Sequence, residues 1–383
     1  MKKDYTYCLP VGPQHPALKE GFHLKFDVEG ERVTDVSVAL GYSHRGIEKA
    51  LAERTFMKGV HLSERVCGIC SNCHSTAYTS ILEKIAGVEI PERAKHIRTI
   101  FNENERIASH LLWAGVAAHE IGFDTLFMYL WRDREHVMNL FEAIAGNRVN
   151  KGINIPGGVR FDMTDAHVTM AHETMDLLKQ RLAYYTRAFT KDSTIRKRVA
   201  GVGKLTKEEA EKFGATGPHA RASGLEYDIR DEDPYLAYPK LKWKVCTHRA
   251  GDVFARVVVR LQEIGEAVSI IEQCLDLPKT PLSAPMPAKL TGEATFRLEA
   301  QRGELLYYVN CTGEDHPLRV RVRTPTYANW TTLRPMFREA YVADIPIIVA
   351  SMDPCISCTD RMIICENGRE KVLTKEEVRG WKC

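Results

Sequence analysis

The residues best able to do chemistry are two cysteine pairs at opposite ends of the chain. The stretch "RVCGICSNCH" (65–74) carries Cys67, Cys70, Cys73 and His74, and "DPCISCTDR" (353–361) carries Cys355 and Cys358. Four thiolates in two C-x-x-C pairs can make one tetrahedral sulfur site for a soft metal. A structural zinc ribbon has the same ligand set, but its pairs usually lie within some tens of residues because the metal holds a small fold together. Here most of a 383-residue chain lies between the pairs, enough for a core that needs no metal staple. A thioredoxin-like dithiol would use one pair beside a βαβ unit, and none is legible. Thiolates also suit nickel or iron, which must change oxidation state. Cys73 extends the first pair to C-x-x-C-x-x-C. That reads either as an iron–sulfur loop or, more simply, as a small buried residue at a helix start.

Composition narrows the setting. Eleven cysteines that cluster rather than stud the chain favour a reduced, intracellular, metal-binding protein over a secreted disulfide scaffold. The formal charge is +3, from 53 Lys and Arg against 50 Asp and Glu, and no basic block stands out, so nucleic-acid binding has little support. The opening "MKKDYTYCLPVGPQH" lacks the apolar stretch of a secretory signal. No apolar run approaches the roughly 18–20 residues of a membrane helix. The expectation is a soluble chain that can still dock onto a membrane protein.

The elements that must position the cysteines follow from periodicity. In "HLKFDVEGERVTDVSVAL", Leu24, Phe26 and Val28 alternate, as do Val36 and Val38, with a turn at "EGER" between them. This predicts an N-terminal hairpin. From Glu92 to His119, apolar residues at 97, 100, 101, 107, 111, 112 and 116 keep helical spacing. Further helices are predicted over about 132–145, 165–189 and 251–275, which suggests a central bundle. "GINIPGGVR" and "GATGPHARASG" read as loops, and "LPKTPLSAPMP" ends the last long helix. "TFRLEA", "ELLYYVNC" and "LRVRVRTP" alternate as strands, and "DIPIIVASMDP" reads as a short buried strand or helix end before the second pair. The fold class is α+β, mainly α. A single domain over 1–383 is expected, with a β region (about 1–50), a helical core (about 51–277), a mixed region (about 288–361) and a tail (362–383).

Together these segments carry a family resemblance. "RVCGIC" with "DPCISCTDR" resembles the large subunit of the [NiFe] hydrogenases. "GPQHPALKE" (12–20), "GYSHRGIEKA" (41–50), "CSNCHSTAY" (70–78), "PGGVR" (156–160) and "GATGPHARASG" (214–224) resemble the 49-kDa-type quinone-site subunit of respiratory complex I. Carrying both sets is similar to the group 4, energy-converting, membrane-bound hydrogenases (the Ech, Mbh and CO-induced types). The motifs run from Val11 to Arg361.

The resemblance implies a Ni–Fe(CN)2CO centre held by Cys67, Cys70, Cys355 and Cys358, with Cys70 and Cys358 bridging to iron and Cys355 accepting the proton when H2 is split. His74 would donate near a bridging sulfur. Glu20 would relay protons, helped by a raised pKa. Arg302 would lie over the diatomic ligands and pair with Asp353, and Thr326 would sit beside a cyanide. His15 matches a quinone-holding histidine. Glu48 matches a carboxylate that binds Mg²⁺ in many hydrogenases, but Arg361 stands where the partner histidine would be and cannot ligate. An ion pair between Glu48 and Arg361 is expected in place of Mg. The tail 362–383 is either cleaved after metal insertion or retained.

The implied activity is reversible reduction of protons to H2, with ferredoxin-derived electrons coupled to ion translocation. No Fe–S cluster motif is evident in this chain apart from the Ni site, so the resemblance implies a small subunit with a [4Fe–4S] cluster, a ferredoxin-like Fe–S subunit and antiporter-like membrane subunits. Its implied place is peripheral, on the cytoplasmic side of the cell membrane. The alternatives are a metal-free quinone-site scaffold of the complex I type, or a sulfur-reducing relative.

Overall fold

The computed structural model describes residues 5–360 except 17 and 19, and the backbone of 364–366 and 369–371. The predicted hairpin is present as β2 (His23–Glu29) and β3 (Arg32–Ala39), and β1 (Thr6–Val11) adds a third antiparallel strand against β2. Alternation does its expected work. Leu24, Phe26 and Val28 are fully buried while Lys25, Asp27 and Glu29 face water. β1 escaped the reading because five of its six residues are not buried, so no inward period marks it.

Helices α1 (Ile47–Ala52), α2 (Phe56–Glu64) and α3 (Ser71–Ala86) then lead to α4 (Glu92–Glu120), α5 (Asp124–Ala145) and α6 (Asp165–Lys191). Helix α4 is the axis. It packs against α5, the Val253–Cys274 helix and the Ile345–Met352 helix. Helix α5 starts eight residues before the expected 132, because its first turns are apolar on every side and hide the period. Leu126 and Leu130, four apart, point into the core, whereas Met128, Tyr129 and Trp131 stay exposed. Two segments read as loops contain short elements. "GINIPGGVR" holds a two-residue ladder, β4 (Asn154–Ile155) with β5 (Gly158–Val159), and "GATGPHARASG" holds the Gly217–Arg221 helical turn. Gly217 sits at φ 71, and a Cβ there would lie 2.3 Å from the Arg302 carbonyl. That close approach needs glycine and presses the turn onto the Arg302 corner.

β6 (Leu290–Ala300), β7 (Gly303–Glu314) and β8 (Arg319–Arg323) form an antiparallel meander packed on α3. "DIPIIVASMDP" resolves to the Ile345–Met352 helix. The apolar core has two large parts. One gathers around the long helices and β6–β8, the other around β1–β3 and the Ile345–Met352 helix. Cys355 and Cys358 face the first part, while Ile356 between them belongs to the second. The second cysteine pair is therefore seated where the two parts meet.

The inward side of α4 departs from its apolar pattern. Arg98, Glu103, Glu105, Arg106 and His110 are all buried. Unpaired charges would be costly there, and each has a partner. Arg98 forks onto Glu83 (2.6 and 2.9 Å), Arg106 and Arg230 meet Glu103 (both 3.1 Å), and His110 meets Glu263 (2.9 Å). Glu263 is also held by Arg221, which reaches Glu299 (2.8 Å).

Candidate metal centre

Cys67 follows the turn that closes α2, and Cys70 is the residue that opens α3. The N–H groups of Ile69 and Cys70 donate to Cys67 Sγ (3.3 and 3.4 Å), so the turn folds around its own sulfur. On the other side, Asp353 ends the Ile345–Met352 helix at φ 59, a left-handed conformation that aspartate tolerates better than most residues. That reversal aims Pro354 and Cys355 back at the first pair, and Cys355 opens the short helix Ile356–Thr359.

The four thiols converge. Sγ separations are 3.3 Å for Cys67–Cys355, 3.1 Å for Cys355–Cys358 and 3.6 Å for Cys70–Cys358, and all four residues are buried. A disulfide would need about 2.05 Å. Crowding splits their acidities. The hydrogen bond with Cys355 holds Cys67 well below the usual thiol range, the contact with Cys355 pushes Cys70 well above it, and burial pushes Cys358 well above it. Cys355, whose Sγ donates to Cys358, ends above its ordinary value even though its hydrogen bond with Cys358 acts to lower it. Four adjacent thiolates thus need a cation to coexist.

His74 stands one turn into α3. Its Nε2 lies 3.5 Å from Cys358 Sγ and its Nδ1 lies 2.8 Å from the Tyr307 hydroxyl. Burial lowers its pKa to about 4, so the ring is neutral at physiological pH. A Tyr307 O–H donating to Nδ1 would leave the single imidazole N–H at Nε2, facing the sulfur. Cys73 is not drawn in. Its sulfur takes a hydrogen bond from Gln301 Nε2 (3.3 Å) and faces Asn102, as the simpler reading of a small buried residue expects.

Arg302 and Asp353 meet in a two-point contact, Nε to the Asp353 carbonyl and Nη2 to Oδ1, both 2.8 Å. Arg302 Nη1 and Asp353 Oδ2 are buried with no hydrogen-bond partner. A buried N–H left unmade costs about 1–3 kcal/mol, so Nη1 calls for an acceptor. Arg302 lines a small cavity with Cys70, Gln301, Thr326, Cys355 and Cys358. Thr326 Oγ1 accepts from the Cys355 N–H (3.2 Å). Soft sulfurs beside a partnerless cationic donor fit a metal carrying small anionic acceptors.

Glu20 reaches the second pair from the N-terminal side. Its carboxylate accepts from the N–H groups of Ile356 and Ser357, and burial raises its pKa. With Leu18, Phe22, Trp113, Arg302 and Asp353 it lines a mainly apolar cavity of about 90 Å³. His15 sits exposed in the preceding turn. Glu48 accepts from Arg321 Nη1 (3.1 Å) and from the Val322 N–H (2.9 Å). The expected partner, Arg361, and the tail side chains lie outside the described residues.

The profile described as respiratory-chain NADH dehydrogenase, 49 Kd subunit, matches residues 120–290 and 282–361, and that described as nickel-dependent hydrogenase matches residues 45–114. The carbon monoxide-induced hydrogenase of Rhodospirillum rubrum is 40% identical, over 93% of this chain and 99% of its own length. The chain belongs to the family that unites energy-converting hydrogenase large subunits with the 49-kDa dehydrogenase subunit. Another member, the alpha subunit of the membrane-bound hydrogenase of Pyrococcus furiosus, is 38% identical over 99% of this chain and 93% of its own. A chain of the membrane-bound sulfane sulfur reductase, an archaeal respiratory membrane complex, superposes with a TM-score of 0.89 at 34% identity, covering 94% of this chain and all of that one.

Periodicity missed several polar residues around the centre of this hydrogenase–49-kDa family member. Glu105 fills the N-terminus of α3, accepting from the N–H groups of Asn72 (2.9 Å) and Cys73 (3.1 Å), with Lys151 Nζ at 2.5 Å. An anion there complements the helix dipole and holds the turn that carries Cys70. Tyr307 and Gln301 were equally silent. The available signal was the excess of Asn, Glu and Arg on the inner side of an otherwise apolar helix.

Proposed function

We propose that the chain is the catalytic large subunit of a membrane-associated, energy-converting [NiFe] hydrogenase that interconverts protons and H2. The observation that carries this reading is the convergence of four buried thiols, three of which (Cys70, Cys355 and Cys358) line a small cavity with Arg302, whose Nη1 lacks an acceptor. A quinone-site scaffold has no use for four such thiols. The apolar cavity beside Glu20 supports the same reading. At about 90 Å³ it suits a diatomic gas, whereas pockets for larger ligands run to ~300–1,000 Å³.

Cys67, Cys70, Cys355 and Cys358 would hold the Ni–Fe(CN)2CO group, which when bound supplies the redox chemistry and the polarisation of H2. Arg302 Nη1 would offer its N–H to a cyanide nitrogen, and Thr326 lines the same small cavity. His74 donates from Nε2 toward Cys358. Cys355 holds or releases a proton at Sγ. Glu20, whose carboxyl burial shifts toward the protonated form, is the next acceptor on the way to solvent. Asp353 fixes the guanidinium. Electrons enter through a partner. The partners proposed are a small subunit with a [4Fe–4S] cluster, a ferredoxin-like subunit and antiporter-like membrane subunits. No helix among the described residues is long and apolar enough to cross a membrane, in keeping with a peripheral place, proposed on the cytoplasmic face.

Infrared spectroscopy of the purified complex tests the reading. CO and CN⁻ stretching bands with stoichiometric nickel are expected. Absence of both bands, with zinc in the thiol site, would overturn it. The likeness to the sulfane sulfur reductase favours a second reading, sulfur reduction at the same thiols. Faster turnover with polysulfide than with protons, under one electron donor, would select it.

A further inference from the structure

The two cysteine loops are tied together by a side chain that touches neither sulfur. Arg45 Nη1 donates to the Arg65 carbonyl (2.9 Å), and Nη2 donates to the carbonyls of Val66 and Ser357 (both 2.8 Å). Its Nε donates to the Ser43 carbonyl (3.1 Å), which fixes the guanidinium to its own loop. Val66 immediately precedes Cys67, and Ser357 immediately precedes Cys358. One planar group therefore sets two peptide planes, each of which places a thiol. The Arg45 loop is itself fastened to the second pair, because Asp360 accepts from the N–H groups of Gly41 (2.9 Å) and Ser43.

We propose that Arg45 is the positioning residue that fixes the distance between the two cysteine loops before any metal arrives, and so governs how readily the centre fills. The bland alternative is an exposed, solvated arginine, and exposed side chains of this kind commonly contribute little. Three observations oppose it. The acceptors are carbonyls of both loops. They are shared by one fork, whose planarity a lysine cannot reproduce. None of the bonds involves a thiol, so the staple does not wait for the metal to form.

The metal part of this proposal rests on reading the four thiols as one centre, so its test has two arms. The first is amide hydrogen exchange on the full chain purified from nickel-depleted cells, comparing the parent protein with Arg45→Ala and Arg45→Lys. Exchange over residues 65–70 and 355–360 is expected to rise about 10-fold or more in Arg45→Ala and by less in Arg45→Lys, with α5 and α6 unchanged. The second arm is nickel per chain in the complex grown with nickel, expected to fall in the same order. Unchanged exchange over 355–360 in both variants overturns the proposal. If Arg45→Ala fails to fold, Arg45→Lys decides alone. Absence of nickel from the parent complex would count against the metal-centre reading, and the exchange arm would still decide the role of Arg45.

Discussion

The Arg302 guanidinium grips Asp353 at two points, its carbonyl and its Oδ1, each at 2.8 Å, and leaves Nη1 pointing at no acceptor. The pairing spends two of the five guanidinium N–H donors on orientation and leaves Nη1 without a partner. Arg302→Lys keeps the charge and loses the fork. H2 evolution by the purified complex is expected to fall by roughly 10²-fold or more, as when a preorganised donor is removed. The cyanide stretching bands should shift in the same sample. Unshifted bands would detach Arg302 from the cyanide ligands.

The thiols differ in what they should do when replaced. Cys67→Ser or Cys358→Ser is expected to abolish nickel binding, because a serine hydroxyl is a hard, poorly ionised donor. Cys73→Ser should retain nickel and cost only about 1–2 kcal/mol of stability, since its sulfur touches Gln301 and Asn102 rather than the site. Metal analysis of the three variants decides this.

His74 predicts an acid limb in the stability of the metal-free chain. Burial lowers its pKa from 6.5 to about 4, so the unfolded chain binds more protons between these values. Its contribution is fully present above pH 6.5 and is lost as pH falls toward 4, by about 3 kcal/mol in all. His74→Gln should flatten the dependence of the denaturation midpoint on pH by about one proton in this window. Buried His110 and His219 also have lowered pKa values, and they should keep the remainder of the slope.

Glu105 and Lys151 form a buried pair at the start of α3. Glu105→Gln leaves the ammonium uncompensated and should destabilise the chain by about 3–5 kcal/mol. Combining it with Lys151→Met should recover much of that loss. Denaturant unfolding of the single and double variants measures both. A double variant no more stable than the single would show that Glu105 acts through the helix terminus alone.

Much of the framework was legible in the chain. The β2–β3 alternation, the long helical periods of α4 and α6, and the strands β6–β8 follow from neighbours on one element, and a local period survives in a linear text. The start of α5 did not, because apolar residues on all sides erase the phase. The β1 edge did not, because most of its residues are not buried. Arg45, Glu105, Gln301 and Tyr307 left no periodic mark, since each works through a contact with a distant element.

What the sequence by itself determined was the inventory: two C-x-x-C pairs, their separation, and the family to which their flanking motifs belong. Tertiary structure alone decided that Cys67 and Cys355, 288 positions apart, bring their sulfurs to 3.3 Å. It also turned His74 rather than Cys73 toward the thiols, and it gave Glu48 the Arg321 side chain as a partner. The reason is physical. Spacing along one element is set by backbone geometry, whereas meetings across the chain are set by how the two apolar parts of the core pack and by which polar groups that packing strips of water.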